Sequence, residues 1–149
     1  MIQRAKHESD PWSGQMAFPG GKHETDDAHI TATALRETRE ELGIPPEKLL
    51  RFGRLSDVMA RPYHFDRAPM VISPLLLYPT AELAFQPNHE VDDVVWVPVS
   101  HFLEAANRST MTRKIHGQAV ELPCYEYQGK VIWGLSLLMI DELVRELVT

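Results

Sequence analysis

The sequence has 149 residues, of which 44% are hydrophobic and 24% are charged, and its formal net charge is −6. This length and composition predict a single globular domain, 1–149, with a core of its own. The acidic balance argues against nucleic acid as the main partner, because binding a phosphate backbone requires clustered Lys and Arg.

The first predicted element is a strand, Met1–Ala5, at the start of the chain. Its abrupt beginning is compatible with a missing N-terminal strand, with a strand supplied by a partner in a homodimer, or with a short edge strand. The segment turns polar after Ile2, so no signal peptide is predicted in it, and no apolar run is long enough for a membrane span. The lone cysteine, Cys124, excludes an intrachain disulfide. These features predict a cytoplasmic protein.

The later elements are predicted from hydrophobic periodicity and from turn residues. Strands are predicted at Gln15–Phe18, Leu50–Met59, Met70–Tyr78 and Val91–Val97, with two short strands in Ala119–Tyr127 that lead into a turn at 128–129. Helices are predicted at Ile30–Leu42, at Leu135–Leu147 and, as a short helix, near Val99–Ala106. Mixed strands and two main helices predict an α/β fold.

The helix predicted at Ile30–Leu42 carries an acidic face. Glu37, Glu40 and Glu41 lie at i, i+3 and i+4, so their carboxylates share one side of the helix. Such a cluster is unfavourable unless it is protonated or paired with a cation, and Mg²⁺ prefers oxygen ligands of this kind. A solvated acidic face is the alternative interpretation of these residues taken alone.

A glycine loop precedes this helix. The segment FPGGK, residues 18–22, places Gly20 and Gly21 between a strand and the helix, where glycines allow sharp turns and close approach to a ligand. Together the loop and the helix resemble the signature of the Nudix hydrolase family, G-x(5)-E-x(7)-R-E-U-x-E-E-x-G-U, in which U is a bulky aliphatic residue. The positions that match it in register are Arg36, Glu37, Glu40, Glu41, Gly43 and Ile44.

The sequence departs from that signature in its first half. The segment from Gly21 to Arg36 is one residue longer, and Ala28 occupies the place of the first glutamate. Glu24 and Asp27 are the two acids that could replace it beside Arg36, and Thr38 stands where an aliphatic residue is usual. The longer loop, followed by TALRETREELG, resembles the coenzyme A pyrophosphatase branch of the family.

The resemblance implies a fold, a cofactor and a reaction. The fold would be a Nudix α/β/α sandwich with a mixed sheet. Mg²⁺ or Mn²⁺ would be bound by Glu37, Glu40, Glu41 and the carbonyl group of Gly20, while Arg36 orients the helix glutamates. Water would then attack a phosphorus atom of a nucleoside diphosphate linked to another moiety, and Glu40 would take part in catalysis.

A further acid is predicted outside the helix. The segment NHEVDDVVWVP places Glu90 six residues before Trp96, an arrangement that in the family provides a metal ligand or a general base. A polar loop residue is the alternative interpretation. Asp92 and Asp93 are predicted to be solvated turn acids.

The sequence gives two candidate classes of substrate. The segments GQMAFPGG and VIWGLSLLMIDELV resemble coenzyme A pyrophosphatases, which slightly favours a coenzyme A-type substrate. However, DPWSG lacks an arginine expected there, and Arg4 matches the branch only in part, so a nucleotide sugar or ADP-ribose is the alternative. Arg61, Tyr63 and His64 are candidates for gripping phosphate and stacking on a base, or they form a plain polar loop.

Two hypotheses from other functional classes are alternatives to the hydrolase. One is a non-catalytic Nudix-fold module that binds a nucleotide, which the retained glutamates disfavour. The other is a structural domain with a merely solvated acidic helix.

Cys124 is predicted to be a buried apolar filler. The remaining histidines show no ligand spacing and are predicted to lie at the surface: His7, His23, His29, His89 and His101.

Overall fold

A computed structural model describes residues 1–8, 10, 12–60, 69–115 and 117–149. The α-helices are α1 (Ile30–Leu42), α2 (Val99–Leu103) and α3 (Gly134–Val148). The strands are β1 (Ile2–Arg4), β2 (Met16–Ala17), β3 (Leu49–Arg54), β4 (Val58–Ala60), β5 (Met70–Ile72), β6 (Leu75–Pro79), β7 (Val91–Val94), β8 (Arg108–Ile115), β9 (Gln118–Tyr127) and β10 (Lys130–Trp133). Short 3₁₀ turns occupy Pro46–Lys48 and Ala105–Asn107.

The described strands form small antiparallel sheets. Two have three strands, in the orders β2-β1-β7 and β10-β9-β8, and two are pairs, β3-β6 and β4-β5. The mixed α/β content is therefore as predicted, but the predicted mixed sheet is not found among the described pairings, all of which are antiparallel. None of the described helices has the length and apolar character that a membrane crossing needs.

The sheet β2-β1-β7 has a hydrophobic cluster on each face. On one face, Ile2 and Val91 pack with Leu42 and Ile44 from the end of α1. On the other face, Met16 packs with residues of β9, β10, α2 and α3. The hydroxyl group of Ser136 also donates to the carbonyl oxygen of Met16, which ties the start of α3 to β2. These contacts fix β2, and hence the loop that follows it, against two layers of the molecule.

Helix α1 has the predicted bounds because both of its ends are capped. At the start, Nδ1 of His29 accepts a hydrogen bond from the backbone N–H of Ala32 at 3.1 Å. At the end, Gly43 adopts φ 68°, which a glycine reaches without steric cost, and its N–H donates to the carbonyl oxygen of Arg39. The caps set the register in which the helix presents its glutamates.

Two predicted long strands are interrupted. The segment Leu50–Met59 divides into β3 and β4, and Met70–Tyr78 divides into β5 and β6. Pro74 lies at the second break, and it cannot donate a ladder hydrogen bond because proline has no backbone N–H. Its carbonyl oxygen instead accepts from the N–H of Leu55. The strands therefore pair as two separate short ladders.

Strand β8 was not predicted, and β9 was wrongly predicted as two strands. Instead of two short strands, β9 is one ten-residue strand that pairs with β8 on one side and β10 on the other. The turn predicted at 128–129 is confirmed, and both of its residues have positive φ, 51° at Gln128 and 72° at Gly129. The guanidinium group of Arg108, at the start of β8, pairs with the Asp141 carboxylate of α3 at 2.6 and 3.0 Å.

Three predictions about single side chains have clear outcomes. Cys124 is buried, as predicted. Asp92 and Asp93 are not turn acids, since both lie in β7, and Asp93 pairs with the ammonium group of Lys130 at 2.9 Å. The surface prediction is wrong for His101, whose ring packs against Phe102 and the tyrosines of β9. Helix α2 is held against β9 there, because the hydroxyl group of Tyr125 donates to the carbonyl oxygen of Phe102.

Candidate active site

The glycine loop meets α1 at two of the predicted glutamates. The backbone N–H of Gly20 donates to Oε2 of Glu41 at 2.9 Å. Gly21 lies so close to Glu37 that a Cβ atom at this position would overlap its carboxylate group. A side chain at position 21 would therefore displace the Glu37 carboxylate from its place beside the loop, and the described contact of Gly20 uses its N–H group.

Glu41 is a buried carboxylate with little compensation. Its residue is only 2% exposed. Burial raises its pKa to about 7, with the negative charges of Glu37 and Glu90 adding to the effect, while the Gly20 N–H and the positive charge of Arg4 oppose it. Glu37 follows the same pattern, because burial also raises its pKa above the usual value.

Arg36 links the other carboxylates of the site. Its Nη1 atom donates to Glu37 at 2.9 Å and to Glu40 at 3.2 Å. Its Nε and Nη2 atoms each donate to one oxygen of Asp27 at 3.0 Å, and Nη2 also donates to the carbonyl oxygen of Lys22. This fork holds the pKa of Asp27 well below its usual range.

The structure thereby distinguishes the two acids considered for the first half of the signature. Asp27 makes the two-pronged contact, whereas Glu24 is 3.8 Å from Arg36 and its side chain is 65% exposed. The backbone N–H of Glu24 and the side chain of Thr33 also hydrogen-bond to Asp27. Asp27 is therefore held between the loop and the helix, where it fixes the guanidinium group.

Glu90 and Arg4 lie at the other side of this cluster. The carbonyl oxygen of Glu90 accepts from the N–H of Ala5 at 2.8 Å, which ties the loop before β7 to the end of β1. The Glu90 side chain is exposed, and its charge acts on both Glu37 and Glu41. Arg4 pairs with Asp10 at 2.9 Å while its charge also reaches Glu41.

The predicted site residues are thus brought together only in part. Around the glycine loop the structure gathers Gly20, Arg36, Glu37, Glu40, Glu41, Glu90 and Arg4. The three predicted substrate contacts Arg61, Tyr63 and His64 lie outside the described residues. Two contacts were not predicted: the hydrogen bond from Arg36 to the carbonyl oxygen of Lys22, and the hydrogen bond between the Thr33 side chain and Asp27. A backbone acceptor such as Lys22 leaves no signal in a sequence.

The donor set suits a hard divalent cation. Carboxylate oxygens are the ligands that Mg²⁺ and Mn²⁺ prefer, and the only partly compensated burial of Glu41 is the kind of electrostatic cost that a cation offsets. Within the described ranges, however, no three His, Cys, Asp or Glu side chains converge closely enough to enclose a metal ion. Arg36 accounts for this arrangement, because it holds the carboxylates of Glu37 and Glu40 against its own guanidinium group.

Comparison with known proteins agrees with this geometry. The NUDIX domain profile matches residues 1–116. An uncharacterized Nudix hydrolase NudL of Photorhabdus laumondii is 33% identical over 136 residues, which cover 90% of this chain and 69% of the relative. A second NudL, from Yersinia pestis, is 30% identical over 138 residues, covering 90% of this chain and 65% of that protein.

A mammalian protein is similar to the same degree. The mitochondrial coenzyme A diphosphatase NUDT8 of Mus musculus is 34% identical over 139 residues, which cover 90% of this chain and 62% of that protein. The chain thus spans about two thirds of the length of the curated relatives it matches. The resemblance found in the signature is confirmed, and the chain belongs to the Nudix hydrolase family.

Proposed function

We propose that this chain is a metal-dependent pyrophosphohydrolase that cleaves a nucleoside diphosphate derivative, with a coenzyme A-type substrate favoured. The observation that carries the proposal is the buried Glu41 beside the Gly20 N–H, surrounded by the charges of Glu37 and Glu90. A solvated structural helix would not bury a carboxylate in this way, because desolvation disfavours the charged form.

Each residue has a distinct role in this proposal. Glu37, Glu40, Glu41 and the backbone of Gly20 would hold Mg²⁺ or Mn²⁺, which when bound lowers the pKa of a water molecule and neutralises phosphoryl oxygens. Glu40 would in addition take part in catalysis, and its hydrogen bond with Arg36 would keep its carboxylate oriented. Gly21 gives Glu37 the space it occupies.

Glu90 is proposed as the general base. Its carboxylate is exposed and acts electrostatically on the buried Glu41 and the half-buried Glu37, so it can accept a proton from a water molecule at the edge of the cluster. The oxygen of that water forms a new bond to phosphorus as the anhydride P–O bond breaks, and the leaving phosphate carries away the electron pair. Arg4 would pair with the substrate phosphates, because its charge already reaches this site.

The coenzyme A preference rests on the loop sequence and on the similarity to a coenzyme A diphosphatase. A nucleotide sugar or ADP-ribose is the second candidate, because DPWSG lacks the arginine that the coenzyme A branch carries before Gly14.

We also propose one domain of three α/β/α layers over 1–149, supported by hydrophobic clusters on both faces of β2-β1-β7. A cytoplasmic location is supported by the buried free thiol of Cys124.

The test is a hydrolysis panel of coenzyme A, ADP-ribose and nucleotide sugars with Mg²⁺ or Mn²⁺, with the products resolved by mass spectrometry. We expect coenzyme A to be cleaved fastest at its diphosphate, and cleavage to stop when EDTA is added. Glu47→Gln, at an exposed glutamate beside α1, is the matched control for substitutions in the site. Binding of a nucleotide without hydrolysis under every condition would instead support the non-catalytic module.

A further inference from the structure

A second cleft lies on the side of β1 away from the glutamate cluster. It has a volume of about 310 Å³, and it opens between the start of the chain and the antiparallel sheet β10-β9-β8. Gln3 and the loop at 13–15 form one wall, while β8, β10 and the turn at Gly129 form the other. None of its lining residues has a role in the proposed hydrolysis, so its function is a separate question.

The lining of this cleft combines two kinds of side chain. The apolar ones include Met16, Met111, Val131 and the Trp133 ring. The polar and cationic ones are notably Gln3, Arg113 and Lys130. Apolar side chains beside converging polar groups are found at small-molecule sites, and the volume lies at the lower end of the range for such sites.

Arg113 is the group that points to an anionic ligand. Its guanidinium carbon lies 4.4 Å from the centroid of the Trp133 ring, so the flat face of the group is held by stacking. Within the described ranges this stacking is the interaction that holds Arg113, and no carboxylate pairs with it. The N–H edges of a stacked guanidinium remain available, and their fork geometry matches phosphate or carboxylate oxygens.

Lys130 of β10 adds a second positive charge to the lining of the cleft. Its ammonium group contacts the Asp93 carboxylate at 2.9 Å and donates to Oε1 of Gln3 at 2.5 Å. These contacts fix the position of the ammonium group, and the Asp93 carboxylate cancels only one of the two cationic charges that line the cleft. An acidic protein with a net charge of −6 therefore retains a locally positive recess at this position.

We propose that this cleft is a second ligand site, which binds a small phosphorylated molecule with a flat ring, such as a nucleoside monophosphate. The phosphate group is bound by Arg113 with help from Lys130. The ring packs against the half-buried side chains of Met111 and Val131, which a bare inorganic anion would leave in contact with water. The ligand class follows from the pairing of a free guanidinium fork with an apolar recess.

The experiment is a titration with adenosine monophosphate in EDTA, followed through the indole N–H signals of the protein by nuclear magnetic resonance. The chain has three tryptophans, and the Trp133→Phe variant identifies which signal belongs to Trp133. We expect this signal to move on titration while those of Trp12 and Trp96 remain in place. EDTA removes divalent metal from the glutamate cluster, so this result does not depend on hydrolysis.

Matched variants and ligand fragments identify the groups responsible. Arg113→Ala should weaken adenosine monophosphate binding at least about tenfold, because it removes a charge-assisted hydrogen bond to phosphate. Lys114→Ala removes the same charge from the next residue of β8, outside the cleft lining, and should change binding by less than about twofold. Adenosine and inorganic phosphate should each bind at least about tenfold more weakly than the intact nucleotide.

Several outcomes would overturn the proposal. These are a dissociation constant above about 10 mM for adenosine monophosphate, a shift confined to Trp12 or Trp96, or equal weakening by the two alanine variants. Arg113→Lys retains the charge without the fork and should give intermediate affinity, which keeps the test sound if the alanine variant unfolds. Loss of hydrolysis in the glutamate variants has no bearing on these measurements.

Discussion

The two ends of the carboxylate network around α1 contrast sharply. At one end, Asp27 receives two N–H donors from Arg36 and a third from the backbone of Glu24, and its pKa falls well below the usual range. At the other end, Glu41 is buried with one backbone donor, and burial raises its pKa to about 7. One carboxylate is therefore stabilised as an anion, while the other is destabilised as one.

This difference separates a structural role from a reactive one. The Asp27 pair joins the loop to the helix and fixes Arg36, and a metal ion is not required for that contact. Glu41 carries an electrostatic cost that the surrounding protein offsets only in part, and such costs concentrate at functional sites. The contrast can be tested by removing either carboxylate, by adding a cation and by changing the pH.

The largest effect is expected for Glu41→Gln. Because this substitution removes a proposed metal ligand, kcat with Mg²⁺ should fall by more than about a hundredfold. The melting temperature in EDTA at pH 8 should stay the same or rise, since a buried charge is removed while the side chain keeps its shape. Steady-state kinetics and thermal denaturation measure the two effects, with Glu47→Gln as the control. Unchanged turnover would remove the proposed role of Glu41.

A smaller effect on activity is expected for Asp27→Asn. The substitution releases Arg36, so kcat should fall by about ten- to a hundredfold. Unlike Glu41→Gln, it should also lower the melting temperature, because a charge-assisted fork is lost. The matched control is Glu24→Gln, whose carboxylate is 3.8 Å from Arg36 and mostly exposed. A larger loss in the Glu24 variant would reverse the assignment of the two acids.

Addition of a divalent cation should stabilise the wild-type protein. At a Mn²⁺ concentration about a hundredfold above its dissociation constant, binding adds about 2.7 kcal/mol to the unfolding free energy. For a chain of this length that corresponds to a rise of roughly 5–10 °C in melting temperature. The same addition to Glu41→Gln should give a clearly smaller rise in differential scanning calorimetry. Equal shifts in the two proteins would place the cation elsewhere.

The smallest effect is the pH dependence of the metal-free protein. The pKa of Glu41 is about 7 in the folded chain, above the ordinary value of 4.5, so folding favours its protonated form. Its contribution to stability is complete below pH 4.5 and is lost as the pH rises to about 7. In EDTA, wild type should therefore lose stability relative to Glu41→Gln across this interval, as followed by urea denaturation. A constant difference between the two proteins would mean that Glu41 has an ordinary pKa.

Parts of the molecule were predictable because their determinants are local. The bounds of α1 follow from its apolar periodicity and from Gly43, and its shared acidic face follows from the 3.6-residue period. Strand β8 was missed because an edge strand carrying Arg113 and Lys114 has little apolar alternation, although such charges protect an exposed edge. The choice between Glu24 and Asp27 depends on how the loop folds back onto α1, which spacing alone does not determine.

The second cleft could not have been predicted for a similar reason. Gln3, Arg113 and Trp133 come from three distant segments, and only the pairing of β8 with β9 and of β9 with β10 brings the last two together. Glu90 was found because the family resemblance marks it, whereas its contact with Ala5 depends on where β1 ends. Long-range strand pairing therefore limits what the sequence reveals about both sites.

A change in the length of the short strand β1 would affect both sites at once. Gln3 lines the cleft, whereas the charge of the next residue, Arg4, lowers the pKa of Glu41. The pairing of β1 with β7 has a register irregularity between these two residues. Because side chains alternate across a strand, an insertion or deletion of one residue here would exchange the two faces. A deletion would put the guanidinium group of Arg4 at the cleft, and an insertion would put the amide group of Gln3 beside the glutamates. Length changes in β1 should therefore be far rarer among homologous chains than substitutions.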